Sequence, residues 1–328
     1  MPNAQCSMPK GMLLSINTSN GGVPKRPRAY ALVTATGVEG DRQRDLRHHG
    51  GPDRAVCLYS FDRIRELQGE GHPVSVGLLG ENLTLLDVDW QRLTPGMGVR
   101  VGEVHLTLTA FAVPCRNLSA HFEGARIGRV SQKLHPGWSR VYARVDRPGT
   151  VWIGDPVRIV EAGQPSQLLD TDAMHRPVRP AIRRSGTLRV PAPFDQAFRF
   201  FTPDGERLWV PDFDPAYLHP LSEDQQAGAI FTTRHGGEDT LWMVLRFSPQ
   251  DGVAEYARVT PGSRRGTVTV TLAPAAANTT EATVTYDLTS MSDHGDAVLS
   301  AMTDEAYVDM LADWERRIAQ AVRGEAFE

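Results

Sequence analysis

The chain has 328 residues, more than one typical domain of about 100–200 residues, and its length suits two. Apolar residues make up 41% and charged residues 23%, with six Trp, eleven Phe and seven Tyr, which is enough for packed cores and excludes disorder throughout. The net charge is −4 and the sequence pI is near 6.2. With no basic run carrying interleaved aromatics, nucleic acid is a poor partner, and no stretch reaches the ~20 apolar residues of a membrane span.

The first residues, Met1-Pro2-Asn3-Ala4-Gln5-Cys6, lack the apolar run of a secretory signal. Cys6, Cys57 and Cys115 are too few and too scattered for a disulfide framework. Reduced thiols in a cytoplasmic protein are therefore expected. Charge is split along the chain: residues 1–163 carry 20 Lys+Arg against 15 Asp+Glu, and residues 164–328 carry 15 against 24. The positive excess of the first part suits an anionic ligand, and ordinary variation between domains accounts for it equally well.

In chain order, a short helix is predicted after Ser60, where Ile64 and Leu67 share a face. Val104, Leu106, Leu108 and Ala110 alternate with polar residues, the period of a strand with one buried face. Val151–Ile153 and Val157–Val160 read as strands around a Gly154-Asp155-Pro156 turn. Many short strands punctuated by Gly and Pro favour a barrel or a sandwich. The segment 164–184 is proline-rich and aperiodic, so it is read as a linker between a domain at 1–163 and a second at 185–328.

The second part opens with a strand at Thr187–Val190, then a helix placing Phe194, Ala197, Phe198 and Phe201 on one face. Strands follow at Ile230–Arg234, Leu241–Phe247, Val253–Val259, around Val268–Leu272 and around Ala282–Leu288. One long helix from about Asp296 to Val322 closes the chain, with Ser292 or Asp293 as its cap. This is an α+β plan, an antiparallel sheet around a long terminal helix.

Chemistry-bearing residues concentrate in the first part. The run Gly40 to Arg54 holds Asp41, His48, His49, Asp53 and Arg54 around Gly50-Gly51-Pro52. Those glycines let a backbone approach a ligand, and the flanking side chains suit a polar anion. A solvated loop of mutually paired charges fits the same composition. The adjacent His48 and His49, with no C-x-x-C nearby, do not make a zinc site. Cys115 ends a strand and precedes Arg116, a setting that favours thiolate, the form that binds soft metals or attacks sulfur. A small buried residue is the competing reading. Cys57 lies in the apolar run Ala55–Tyr59 and reads as core, and Gly80-Glu81-Asn82-Leu83 is a turn with a carboxylate and an amide.

Taken together, Gly40-Asp41, His49-Gly50-Gly51-Pro52-Asp53-Arg54-Ala55-Val56, Gly80-Glu81-Asn82-Leu83, Pro114-Cys115, Gly137-Trp138, Pro148–Val151 and Gly154-Asp155 resemble the signature of the MOSC domain, named after the C-terminal domain of molybdenum cofactor sulfurase. The resemblance covers about residues 10–162 and lies nearest the bacterial branch that detoxifies N-hydroxylated bases such as 6-hydroxylaminopurine. It implies a mainly-β barrel and a molybdenum cofactor of the molybdopterin form, with Cys115 as the catalytic residue and molybdenum ligand. The cofactor-binding role would fall on Asp41, His49, Gly50, Gly51, Asp53, Arg54, Glu81, Asn82 and Arg116. Residues 185–323, with Phe200-Phe201-Thr202-Pro203 and Glu206–Pro211, resemble a START-like (SRPBCC, polyketide cyclase-like) helix-grip domain, which implies a cavity for a hydrophobic ligand.

Three functions follow. The first is molybdenum-dependent reduction of an N-hydroxylated small molecule. No iron–sulfur cysteine set or dinucleotide glycine fingerprint is present, so this reading requires a separate electron-donating reductase. The second is a sulfur carrier with a persulfide on Cys115. The third is a binding protein that works through its START-like domain. Pyridoxal phosphate is not expected as a cofactor.

Overall fold

The computed structural model describes residues 11–43, 50–162, 178–219 and 227–325. The chain divides into two compact units on either side of Arg176–Pro177. Of the expected linker 164–184, residues 164–177 lie outside the described residues, and residues 181–184 already belong to a strand. Among the described residues no helix is long and apolar enough to cross a membrane.

The first unit is a β-barrel built from β1 (Met12–Thr18), β2 (Arg26–Arg28), β3 (Tyr30–Thr34), β4 (Gly37–Val38), β5 (Val56–Ser60), β6 (Leu83–Leu86), β7 (Gly98–Val101), β8 (Val104–Phe111), β9 (Val141–Arg147), β10 (Gly149–Trp152) and β11 (Val157–Val160). Eight strands pair in the order β11-β7-β8-β9-β5-β6-β1-β2, and β10-β3-β4 form a small second sheet. Every pairing is antiparallel except β5 with β6. The large sheet curls shut where the start of β1 meets the start of β11. There Leu13 N–H donates to Asp155 O at 2.9 Å and Val157 N–H donates to Gly11 O at 2.7 Å.

Gly11 permits this seam: its φ is +68°, and a Cβ there would sit 2.7 Å from Val157 O. All seven residues of β1 are buried. β1 is also paired on both sides, with β2 and β6, so it leaves no open edge for a second chain to pair with. After β5, Ser60 caps helix α1 (Phe61–Gly69) by accepting from Arg63 N–H, and Ile64 and Leu67 are buried as their spacing predicts. Beyond β8 the chain makes short 3-10 turns at Arg116–His121, Glu123–Ala125 and Ile127–Val130 before entering β9.

The second unit holds β12 (Ala181–Val190), α2 (Phe194–Ala197), α3 (Pro203–Glu206), β13 (Ala216–His219), β14 (Ile230–His235), β15 (Glu238–Ser248), β16 (Val253–Thr260), β17 (Arg264–Ala276), β18 (Thr279–Ser290), α4 (Asp293–Ala301) and α5 (Asp304–Arg323). Its sheet is antiparallel throughout, in the order β12-β18-β17-β16-β15-β14-β13. The inner faces of the strands and the α5 residues Tyr307, Leu311 and Ile318 share one core. This is the helix-grip form of an α+β domain.

The single terminal helix expected from Asp296 to Val322 is two helices. Thr303 takes an extended backbone with ψ 168°, and its hydroxyl accepts from Ala306 N–H, so it caps a new helix in the middle of the apolar stripe. Ser292 caps α4 as expected. Phe194–Phe201 also divides, into α2 and a 3-10 turn at Phe198–Phe201.

Candidate functional site

The first unit opens into a cavity of about 1110 Å³. Six stretches of chain build it: the turn before β2, the segment after β4, the start of β5 with its preceding turn, the Leu79–Asn82 turn, the end of β8 through Cys115, and Arg140–Tyr142 at the start of β9.

Cys115 sits on the cavity wall and is half-buried. β8 ends at Phe111, and Pro114, with no N–H, cannot resume the ladder; Cys115 is extended (φ −119°, ψ 163°) just before the Arg116–His121 turn. Its carbonyl accepts from Leu118 N–H at 3.0 Å, which fixes the backbone that carries the thiol. Cys57 reaches the same cavity from β5. It is buried with Ala112 and Tyr142, as its apolar run suggested, but it also forms part of the wall. Burial pushes the Cys57 thiol up, against the smaller opposing pull of Arg140 and Lys25, so it stays protonated.

A polar network stiffens the wall behind the thiols. Cys57 N–H donates to Asn82 Oδ1 at 3.1 Å, and Asn82 N–H donates to Cys57 O at 2.7 Å. The Asn82 amide donates through Nδ2 to Asp41 Oδ2 at 2.8 Å and to Asn17 O at 3.2 Å. Asp41 Oδ2 also meets Lys25 Nζ at 2.6 Å, and Ser19 N–H donates to Asp41 Oδ1 at 2.8 Å. Lys25 and Asn82 face the cavity while Asp41 stands behind them.

Glu81 is likewise behind the wall and fully buried. Its Oε1 accepts from Gly77 N–H at 2.5 Å and from Thr84 Oγ1 at 3.3 Å, and its Oε2 has no partner among the described residues. Desolvation raises its pKa more than those bonds and Arg140 lower it.

The cavity is cationic. Lys25, Arg42, Arg54 and Arg140 line it, and no carboxylate is among the described lining residues. Arg140 is buried, and its Nη1 donates to Leu79 O. The Arg54 guanidinium lies 5.7 Å from the Tyr142 ring centroid. Burial, reinforced by the neighbouring Cys57, pushes the Tyr142 phenol up to about 12, so it remains a hydrogen-bond donor. Among the described residues no group of three His, Cys, Asp or Glu could hold a metal ion. A metal here would have to arrive with most of its ligands.

The structure thus brings Cys115, Gly50, Arg54 and Asn82 to one cavity and keeps Asp41 and Glu81 one layer behind. It does not bring three other expected residues there. Gly51 is exposed, Asp53 is exposed and pairs with Arg144 at 3.6 Å, and Arg116 is exposed beside the 3-10 turn. Each lies on the outer side of its turn, where water solvates it better than a ligand would. His49 lies outside the described residues. Lys25, Arg42, Asn117, Arg140 and Tyr142 line the site without having been singled out in the sequence.

A family model described as MOSC domain matches residues 45–158. The chain is 29% identical over 145 residues to the uncharacterized protein YflK of Bacillus subtilis, covering 44% of this chain and 65% of that protein. It is 31% identical over 134 residues to the protein YiiM of Escherichia coli, covering 39% of this chain and 58% of that protein. The chain therefore spans less than two thirds of either relative. The crystal structure of the Zhui aromatase/cyclase from a Streptomyces species aligns over 45% of this chain and all of its own, with 15% identity and a TM-score of 0.33. The first unit of this chain is thus similar to the MOSC domain over residues 45–158.

Proposed function

We propose that the first unit holds a molybdenum cofactor of the molybdopterin form and reduces N-hydroxylated small molecules, such as 6-hydroxylaminopurine, to amines. The observation that carries this reading is a half-buried thiol, Cys115, in a roomy cavity whose charged lining residues are all cations. A pterin carrying a terminal phosphate and its own dithiolene sulfurs fits that donor set, because the protein offers one accessible thiol and several cations but no metal-binding cluster among the described residues.

Lys25, Arg42, Arg54 and Arg140 would hold the phosphate and polar edges of the pterin. Asn82 and Gly80 would border it, with Asp41 and Glu81 setting the wall from behind. Cys115 would provide the protein's thiolate to the metal. When bound, the cofactor supplies the two-electron redox chemistry. The Tyr142 phenol and the Arg140 guanidinium would orient the substrate's polar edge by donating hydrogen bonds. The overall change consumes two electrons and two protons and releases amine and water, with a separate reductase or a chemical donor as the electron source.

The test is elemental analysis of protein made in cells that synthesise molybdopterin, alongside reduction of 6-hydroxylaminopurine with a chemical donor. Wild type should carry molybdenum and turn over, and folded Cys115→Ser should lose both. Metal-free wild type bearing labile sulfur would instead mark a persulfide carrier and overturn this reading.

A further inference from the structure

The cations of the first unit's cavity stand at two places along β9. β5 runs antiparallel to β9, with Leu58 opposite Val141, Cys57 opposite Tyr142 and Val56 opposite Ala143. The turn before β5 therefore lies past Tyr142 in the direction of the end of β9, and Asp53 of that turn meets Arg144 at 3.6 Å. Arg54 belongs to the same turn, and its guanidinium is 5.7 Å from the Tyr142 ring centroid. Arg140 precedes Tyr142 by two residues, so it lies the other way, about 7 Å along the chain. Tyr142 stands between the two arginines.

Each place has its own supports. Arg140 donates to Leu79 O and Lys25 N–H donates to Gly77 O at 3.0 Å, which ties both cations to residues 77–82. Cys115 belongs to this end. β8 pairs with β9 with Ala110 opposite Tyr142, Ala112 N–H donates to Arg140 O at 2.8 Å, and the chain runs on from there to Cys115. Arg54 is tied instead to the segment after β4, since Gln43 Nε2 donates to Arg54 O at 3.4 Å. Arg42 stands between Asp41, which holds Lys25, and Gln43, which holds Arg54.

A single pterin phosphate needs only one of these places. The thiol and the Lys25–Arg140 pair lie together, so a pterin held there leaves Arg54 on the far side of Tyr142. Sites for one drug-sized molecule run to about 300–1,000 Å³, and this cavity of about 1110 Å³ exceeds that range. Tyr142 and Phe111 offer a flat base apolar surface within it.

We propose that the substrate of this site is an anion, the 5′-monophosphate of a nucleoside with an N-hydroxylated base. Arg54, with Arg42 beside it, meets the phosphate, the base lies along Tyr142, and the N-hydroxyl end points toward Cys115. This inference rests on the function proposed above and narrows it: Lys25 and Arg140 keep the pterin phosphate, and Arg54 sets specificity. A phosphate monoester carries about two negative charges at neutral pH, which suits two arginines better than a carboxylate does. Its paired, charge-assisted hydrogen bonds to a guanidinium have no counterpart in a free base or a nucleoside. Among the described residues no carboxylate lines the cavity to repel it.

Isothermal titration calorimetry on the full chain tests this, with molybdenum content measured on the same sample. The probes are the reduced products adenine, adenosine and adenosine 5′-monophosphate. The monophosphate should bind about tenfold or more tighter than adenosine. Arg54→Met should bring it down to the affinity of adenosine, and Arg54→Lys, which keeps the charge without the paired geometry, should retain part of the difference. Arg183→Met, an exposed position in the second unit, should change nothing. Equal affinities of monophosphate and adenosine would overturn the inference, and if molybdenum is present the cofactor reading still stands. Molybdenum-free protein that prefers the monophosphate through Arg54 would keep the role of Arg54 and remove the cofactor reading. No binding of any probe, or an undiminished preference in folded Arg54→Met, would also overturn the inference.

Discussion

Asp41 Oδ2 and Lys25 Nζ lie 2.6 Å apart with side chains only 5% and 9% exposed, a largely buried ion pair in which Lys25 lines the cavity and Asp41 stands behind it. The same carboxylate also receives the Asn82 amide, so it governs where both Lys25 and Asn82 stand. Removing one partner of a buried pair leaves an uncompensated charge, at a cost of about 3–5 kcal/mol. Asp41→Ala should therefore destabilise the first unit by about that much in urea titrations. Asp41→Asn, which keeps one acceptor oxygen, should cost less. A change within about 0.5 kcal/mol for Asp41→Ala would mean that water already compensates Lys25.

The two thiols of the cavity should react in a fixed order. Cys115 is half-buried on a turn, whereas Cys57 is buried in a strand and its pKa is raised by that burial. Alkylation by iodoacetamide, followed by peptide mass spectrometry, should modify Cys115 well before Cys57 at neutral pH. Cys57→Ser should cost roughly 1–3 kcal/mol as an ill-matched buried hydroxyl and keep turnover once folded. Cys115→Ser should keep the fold and lose metal and turnover. Full turnover in folded Cys115→Ser would remove the thiolate from the mechanism and also remove the persulfide alternative.

Some of this site was legible in the sequence and some was not, for physical reasons. Cys115 stood out because Pro114 stops a strand next to a thiol, and Asn82 because a glycine turn precedes it. Arg140 did not, because a charged residue at the entrance to an apolar strand ordinarily faces water. The Leu79 carbonyl, the nearby Glu81 carboxyl and the convergence of β5 and β9 make its burial tolerable. Lys25 was hidden in the same way: the partner that buries it, Asp41, is 16 residues away. Asp53 and Arg116 were misplaced in the opposite direction, since proximity in sequence to Gly50 and Cys115 does not decide which side of a turn a side chain takes.

In the second unit the strand periods were clear, and the break at Thr303 was not. The apolar stripe continues through it, and the cap prevails only because the Thr303 hydroxyl meets Ala306 N–H at 3.1 Å. Trp314, midway along that stripe, is half-buried and sits edge-on to Trp209 at 5.1 Å. Truncating a large aromatic costs about 3–5 kcal/mol when fully buried, so Trp314→Ala should fall at or just below the low end of that range. Thermal melts of the full chain would read it, and a shift indistinguishable from wild type would place the ring against solvent.

Glu206 gives the second unit a pH dependence of definite sign. Its carboxyl titrates near 4.5 when unfolded and is pushed up to about 8 in the fold by burial. Over that interval the native state binds more protons than the unfolded state, so stability falls as pH rises. The Glu206 contribution is complete below about pH 4.5, declines between about 4.5 and 8, and is flat above. Within the declining range the loss approaches about 1.4 kcal/mol for each step of one in pH. Opposite trends from carboxylates with lowered pKa, Glu238 among them, lie at the acid end of the scale. Glu206→Gln carries no proton to lose, so urea titrations at pH 6, 7 and 8 should show wild type losing stability where the variant does not. Equal slopes for the two proteins would mean that Glu206 is already ionised in the native state, with a cation or ordered water meeting it.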